Sequence, residues 1–259
     1  MNCKPIGFFD SGVGGISVLK TAFNLMPNEN YIYYGDNINA PYGEKSEEQI
    51  KTLSLEAGAF LYSMGVKAIV IACNTATSTS VYMMREKFSI PVISMEPAVK
   101  PALSAVKDRR VLVLATPATV SQGRYLCLLN KLNADDRVIS VGCSGLVELI
   151  EQGRTDKTSV HAYLERKLAN LRNENIGAVV LGCTHYAFVE EEIKSYIDNT
   201  FDTDCPVFDG RHGTVRQLKR VLQNGLECAQ DGVGSVTFYS SDKSIPPQHF
   251  AQLFDDFNG

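Results

Sequence analysis

The sequence predicts an α/β fold of two pseudo-symmetric domains, each with a mainly parallel sheet flanked by helices. Three observations carry this expectation. Nine short apolar runs recur along the chain, most of them continuous rather than alternating, which suits strands buried on both faces of a parallel sheet. Helix-like stretches lie between them, and such alternation favours right-handed strand–helix–strand crossovers. The pattern also repeats: AIVIACNTA (68–76) and AVVLGCTHY (178–186) each read as an apolar strand, a small residue, Cys, then a polar pair.

In chain order the strands are expected at IGFFD (6–10), YIYYGD (31–36), KAIVIACN (67–74), PVISM (91–95), RVLVLAT (110–116), RVISVG (137–142), AVVLGCT (178–184), PVFDG (206–210) and SVTFYSS (235–241). GISVLKTAFNLM (15–26) places apolar residues at helical spacing. SEEQIKTLSLEAGAFLYSMG (46–65) does so after a Ser cap, and SVHAYLERKLANLRNENIG (159–177) does so up to a closing Gly. A strand and polar turn open both halves, IGFFDSGVGG near 6–15 and VLVLATPATV near 111–120. The intervals from Asp10 to Cys73 and from Thr116 to Cys183 are similar, so two related units facing one another are expected. The two prolines of EPAVKP (96–101) mark a boundary, and the tail from about 207 reads as two strands and a helix returning to the first unit. The domains are therefore expected at 1–97 with 208–259, and at 98–207. The closing HFAQLFDDF sets Phe250, Leu253, Phe254 and Phe257 on one helical stripe, as core packing would.

Composition limits the function classes. The chain has 259 residues, about 1.7 domains at roughly 150 residues each. It is 44% hydrophobic and 21% charged, which excludes a disordered, collagen-like or coiled-coil chain. A net charge of −4 argues against nucleic-acid and membrane-surface partners. The N-terminal segment lacks the apolar core of a signal peptide, and no apolar run approaches the ~20 residues of a membrane span. A reducing, cytoplasmic setting is expected. The seven cysteines include no CxxC pair and are odd in number, so neither a zinc ribbon nor a disulfide framework is expected.

Cys73 and Cys183 stand at the C-terminal ends of expected strands, just before helices. That edge is where open α/β sheets bind ligands. A thiol at a helix N-terminus meets free N–H groups and the positive end of the dipole, which lower its pKa from about 8.5. A lone Cys is usually a small buried hydrophobe, but two in matched settings point to a pair of reactive thiols. Cys3, Cys127, Cys143, Cys205 and Cys228 lack such a setting and are expected to pack, Cys143 being the one that merits closer inspection. Racemising an amino acid means removing a proton from one face of Cα and delivering one to the other; one thiolate and one thiol supply both. Pseudo-symmetric units put such groups on opposite faces, so an active site in the cleft between them is expected.

Asp10 opens DSGVGG, and its carboxylate suits an ammonium group, a proton, or simply an Asx turn. The glycine-rich turn offers N–H groups to an anion. It is not GxGxxG with an acidic ribose partner, and no Walker lysine follows, so nucleotide binding is not expected. Asn74, Thr75 and Thr184 either bind a carboxylate or cap helices. His185, two residues after Cys183, is placed to relay a proton or set the thiol's charge. PYG (41–43), following YYGD, is a wall of the site or an ordinary turn.

On these residues the sequence resembles the glutamate racemases of the aspartate/glutamate racemase family. DSGVGG (10–15), YYGD (33–36), PYG (41–43), ACNTA (72–76), ATPATV (115–120) and LGCTHY (181–186) stand in the family's order and span nearly the whole chain. The resemblance implies interconversion of L- and D-glutamate for peptidoglycan, with no cofactor, no pyridoxal phosphate and no metal. It also implies a homodimer whose second domain is inserted into the first. Cys73 would serve the D-glutamate face, assisted by Asp10. Cys183 would serve the L-glutamate face, assisted by His185 and a glutamate from the helix after Cys143. The family often reads CPxLVPLVE there and this chain reads CSGLVELIE, so that glutamate is Glu151, with Glu148 at the usual proline position as the alternative. Asp10, Ser11, Tyr42, Gly43, Asn74, Thr75, Thr116, Thr119, Thr184 and His185 would hold the substrate's carboxylates and ammonium. Ala187 and Phe188 replace the family's common Pro-Leu, and DGRHGTVRQL (209–218) departs from its DSG version; no catalytic role is expected for that segment.

Two other readings compete. An aspartate racemase, or a relative that decarboxylates or isomerises a small diacid, shares the scaffold; His185 favours glutamate, since aspartate-type relatives typically carry an acidic residue there. A non-catalytic binding or regulatory protein, or a redox protein pairing Cys73 with Cys183, is opposed by the presence of both thiols and the lack of a nearby resolving cysteine.

Overall fold

Strand and helix alternate along a computed structural model that describes residues 4–201, 204–225, 228–229 and 232–257. The first run is β1 (Ile6–Asp10), α1 (Ile16–Leu25), β2 (Tyr31–Gly35), α2 (Glu47–Ser63), β3 (Ala68–Ile71), α3 (Asn74–Lys87) and β4 (Val92–Ser94). The second is α4 (Val99–Ala105), β5 (Arg110–Ala115), α5 (Pro117–Ser121), α6 (Gly123–Lys131), β6 (Val138–Gly142), α7 (Leu146–Glu151), α8 (Lys157–Leu168), β7 (Ile176–Gly182), α9 (Glu190–Phe201) and β8 (Val207–Asp209). The chain closes with α10 (Arg211–Asn224), β9 (Val236–Ser240) and α11 (Pro247–Asp256). All nine apolar runs are strands. Two units result, Met1–Glu96 with Arg211–Gly259, and Pro97–Gly210.

The first unit holds a five-stranded sheet in the order β4-β3-β1-β2-β9, and the second a four-stranded sheet in the order β6-β5-β7-β8. Every pairing among these strands is parallel. Read in reverse, the second order is β8-β7-β5-β6, the same as β4-β3-β1-β2 with four added to each number. The duplication is therefore one of topology, with β9 an addition to the first sheet alone. Continuous apolar strands follow from burial on both faces. In the second unit Leu112, Leu114, Val179 and Leu181 enter one buried cluster, while Val111, Val113, Ala178 and Val180 enter another. Each of these Leu and Val side chains contributes roughly 1.5–3 kcal/mol by leaving water.

Local signals set the helices of the first unit. Ser46 caps α2 in a reciprocal box: its hydroxyl accepts from the Gln49 N–H, and the Gln49 side chain accepts from the Ser46 N–H at 3.0 Å. On α11, Phe250 and Phe254 are buried and Leu253 is half-buried, and Phe257, just past the helix end, is buried too. Phe250 packs on Tyr33 with ring centroids 5.6 Å apart, and Phe254 meets Phe23 edge-on at 5.5 Å.

Several expectations are corrected. The third helix ends at Leu168 and not at Gly177, which lies inside β7. Asn170, Asn173 and Asn175 crowd the segment between, and their side chains compete with helical backbone bonding. The run 206–210 forms β8, which pairs with β7, so the return to the first unit begins at Arg211 instead of 208. The tail holds a second helix, α10, whose buried Val215, Leu218 and Leu222 pack it on α1 while most of its other positions are polar or charged. Cys143 and Cys205 are buried and Cys228 is half-buried, but Cys127 is exposed on α6 and does not pack. Cys3 lies outside the described residues. No helix among the described residues is long and apolar enough to cross a membrane.

One ion pair sits at the opposite end of the first sheet from the strand C-termini. Lys67 Nζ lies 2.6 Å from Glu29 Oε2, both side chains fully buried, and Glu29 Oε1 accepts from the Ala229 N–H at 2.8 Å. Removing one partner of a buried pair strands the other charge, at about 3–5 kcal/mol. Glu29→Ala is expected to lower the urea-unfolding free energy by that amount; a loss under about 1 kcal/mol would contradict the role of this pair.

Candidate active site

The parallel pairing of β1 and β3 aligns Phe9 with Ile71, and the Ala72 N–H donates to the Phe9 carbonyl at 2.8 Å. Continuing that register sets Ser11 beside Cys73. The Cys73 thiol donates toward Ser11 Oγ at 3.6 Å and accepts from the Ala76 N–H at 3.4 Å, so it caps α3. Negative charge on sulfur is favoured there by the helix dipole. Asp10 is fully buried, and its Oδ1 accepts from the Gly12 N–H at 3.0 Å: the Asx turn forms, and it holds the carboxylate at the same sheet edge. Gly15 makes room for it, since an added Cβ would stand 2.6 Å from Asp10 Cβ.

Asn74 and Thr75 open α3 and are buried. Neither polar atom of the Asn74 amide has a hydrogen-bond partner. An unsatisfied buried group costs about 1–3 kcal/mol, so this amide has hydrogen-bonding capacity to spare. Tyr42 and Gly43 are buried in a 3₁₀ turn, Tyr42–Glu44, that packs against α3. The Tyr42 hydroxyl donates to Asp36 Oδ2 at 2.6 Å. Burial and the Asp36 carboxylate push the Tyr42 phenol far above its ordinary range. Sequence reasoning passed over Asp36, although a carboxylate closing an apolar strand was the signal that singled out Asp10.

In the second unit β5 and β7 align Ala115 with Gly182, which sets Thr116 beside Cys183. The matched intervals in the sequence start at Asp10 and at Thr116, but the registers equate Thr116 with Ser11 and Ala115 with Asp10. Thr116 caps α5 by accepting from the Thr119 N–H at 3.2 Å, and the two hydroxyls lie 2.9 Å apart. Cys183 departs from expectation. A 3₁₀ turn, Thr184–Val189, follows it before α9, and its side chain makes no cap. Its partner is His185, whose Nδ1 lies 3.9 Å from the sulfur.

His185 Nε2 lies 2.7 Å from Glu151 Oε1, at the last residue of α7, which packs against the 3₁₀ turn. Glu151 is thus the glutamate that reaches His185. Glu148 lies within electrostatic reach of the Tyr163 and Tyr186 phenols instead. Burial works against a charged imidazole at position 185, but hydrogen bonds to the Cys183 thiol and the Glu151 carboxylate outweigh it and raise the pKa well above the usual value. Thr184 is buried beside it. Cys143 is a packing thiol: burial pushes its pKa up to about 12. Among the described residues no group of three or more His, Cys, Asp or Glu is arranged to hold a metal ion.

Two topologically equivalent parallel sheets, each with a buried thiol at the C-terminal edge of its strands, define a duplicated α/β protein. Comparison with known proteins gives the family. The model of the Asp/Glu/Hydantoin racemases matches residues 17–218. A glutamate racemase from Clostridium botulinum (strain Hall) is 46% identical over 248 residues, 95% of each chain. The crystal structure of glutamate racemase from Francisella tularensis in complex with D-glutamate superposes with a TM-score of 0.84 at 31% identity, covering 98% of this chain and 94% of that one. Escherichia coli glutamate racemase, solved with L-glutamate and the activator UDP-MurNAc-Ala, gives a TM-score of 0.81 at 29% identity, covering 97% and 95%. The chain belongs to the Asp/Glu/Hydantoin racemase family, and glutamate racemases match it over nearly its whole length.

The His185–Glu151 pair has a definite pH signature. The folded pKa stands above the unfolded value of about 6.5, so the contribution is complete below that pH and is lost as pH rises through the raised value. Glu151→Gln is expected to cost about 1.5–3 kcal/mol in urea unfolding near pH 6, with the difference shrinking as pH climbs. A difference that is constant or grows with pH would show that the imidazole is not charged.

Proposed function

We propose that the protein interconverts L- and D-glutamate by a two-thiol transfer of the Cα proton, without a cofactor. One observation carries this reading: each of two topologically equivalent sheets ends in a buried thiol at the same register position. The D-glutamate and L-glutamate complexes of the two relatives support the choice of substrate.

Starting from L-glutamate, the Cys183 thiolate removes the Cα proton and becomes a thiol. The Cys73 thiol delivers its own proton to the opposite face and becomes a thiolate. The net charge of the site is unchanged, and the reverse reaction exchanges the roles. His185, held by Glu151, stabilises the Cys183 thiolate; the α3 N-terminus stabilises the Cys73 thiolate, and Asp10 assists there. The orphaned amide of Asn74, with Thr75, Ser11, Tyr42 and Gly43, and Thr116, Thr119 and Thr184 from the second unit, hold the carboxylates and ammonium. A cytoplasmic homodimer supplying D-glutamate for peptidoglycan belongs to the same reading.

Purified protein without added pyridoxal phosphate or metal is expected to exchange the Cα proton of both glutamate enantiomers in D₂O, read by NMR. Cys73→Ser and Cys183→Ser should each lower racemisation by about 10²–10⁴-fold, since both proton transfers lie on one path. Exchange of aspartate but not glutamate would redirect the substrate assignment, and a near-normal rate in either variant would sink the two-thiol mechanism.

A further inference from the structure

Asp36 is a buried carboxylate that the two-thiol scheme leaves without a task. It directly follows β2, and its N–H donates to the Asp10 carbonyl at 3.0 Å, which ties it to the end of β1. Its oxygens accept from Asn39 Nδ2 at 3.0 and 3.1 Å and from the Tyr42 hydroxyl at 2.6 Å. These donors are neutral groups. A buried carboxylate held by neutral donors is costly to desolvate, so its position needs a reason beyond stability. Its side-chain bonds converge on one short segment, the loop from Asn37 to Glu44.

The same segment is braced from the strand that only the first sheet possesses. Ser240, at the end of β9, donates to Asn37 Oδ1 at 3.1 Å, and Ser241 Oγ accepts from the Ile38 N–H at 3.1 Å. Gly35 leaves no room for a side chain here: an added Cβ would stand 2.6 Å from Asn37 Oδ1 and 2.9 Å from the Gly12 carbonyl. At the far end of the loop the Tyr42 ring lies 6.0 Å from that of Phe9, and its turn packs on α3, the helix that Cys73 caps. The phenol is within electrostatic reach of the Cys73 thiol.

We propose that Asp36 is a positioning residue: by accepting the Tyr42 hydroxyl proton it fixes the Tyr42–Gly43 turn as the wall that covers Cys73. The link runs from Asp36 to Tyr42 to the turn and then to access at the thiol. A short charge-assisted O–H···O⁻ bond is roughly twice as strong as a neutral one and holds geometry tightly. The proposal deepens the two-thiol reading and rests on it for the kinetic readout alone.

The test follows alkylation of Cys73 by iodoacetamide, resolved by peptide mass mapping in the full-length chain, in Asp36→Asn, Tyr42→Phe and the double variant. Both single variants should alkylate Cys73 at least about fivefold faster than wild type, with Cys183 unchanged. The double variant should be no faster than the singles, because both act through one bond. In glutamate racemisation, KM should rise about tenfold in each single variant with a smaller change in kcat, as expected when a binding wall loosens. A lower melting temperature with unchanged Cys73 alkylation and KM would overturn the proposal and leave Asp36 a folding residue. Faster Cys73 alkylation in Asp36→Asn but not in Tyr42→Phe would also overturn it, because the carboxylate would then act on the thiol directly. If wild type does not turn over glutamate, the functional reading fails while the alkylation comparison still decides this one.

Discussion

Parallel pairing of β1 with β3, and of β5 with β7, is the constraint from which both thiol edges follow. Parallel strands end together, so the residue leaving one strand is set beside the residue leaving its neighbour. That is why Ser11 and Cys73, 62 positions apart, come within 3.6 Å, and why Thr116 and Cys183 take equivalent places. Close packing keeps the edges tight: Gly15 stands against Asp10 and Gly182 against Ala115, where no larger residue fits without displacement. A one-residue slip in the β1–β3 pairing would turn the Cys73 thiol away from the Ser11 hydroxyl.

The two edges share positions but not chemistry. Cys73 caps a helix of 14 residues and draws on backbone N–H groups, with Asp10 and Asp36 buried nearby. Cys183 precedes a 3₁₀ turn and makes no cap, and its neighbour is an imidazole tied to a carboxylate. A dipole stabilises a thiolate without a counter-charge, whereas an imidazolium does so with one. Each device suits a group that alternates between thiol and thiolate, and each reached its edge by a different local sequence: Asn-Thr after Cys73, Thr-His after Cys183.

Much of this was legible from the chain. Burial on both faces made most strands, β1, β3, β5 and β7 above all, continuous apolar runs, and the Cys motifs marked the strand ends. The duplication was visible as repeated words, but its register was not: the interval from Thr116 suggested a match with Asp10, whereas hydrogen-bonded pairing equates Thr116 with Ser11. α10 escaped notice because its three buried apolar residues are spaced among charged and polar ones. The amphipathic pattern of α8 runs on past Leu168 in the sequence, but asparagines divert the backbone into turns there. The Lys67–Glu29 pair and the Asp36–Tyr42 bond depend on chain crossings and a loop path that residue types alone do not encode. Glu151 and Glu148 share a face of α7, so only the packing of that helix on the 3₁₀ turn decides which carboxylate meets His185.

The central claim is that two separate groups handle the Cα proton. The most direct measurement is the position of deuterium after a single turnover in D₂O, starting from protiated L-glutamate with enzyme in excess. The account predicts that D-glutamate carries deuterium at Cα while the remaining L-glutamate is still protiated, because the thiol that donates to the product has equilibrated with solvent and the thiolate that accepts from the substrate has not yet returned its proton. Product that retains protium, or deuterium entering the remaining L-glutamate as fast as the product, would contradict it and point to one base serving both faces.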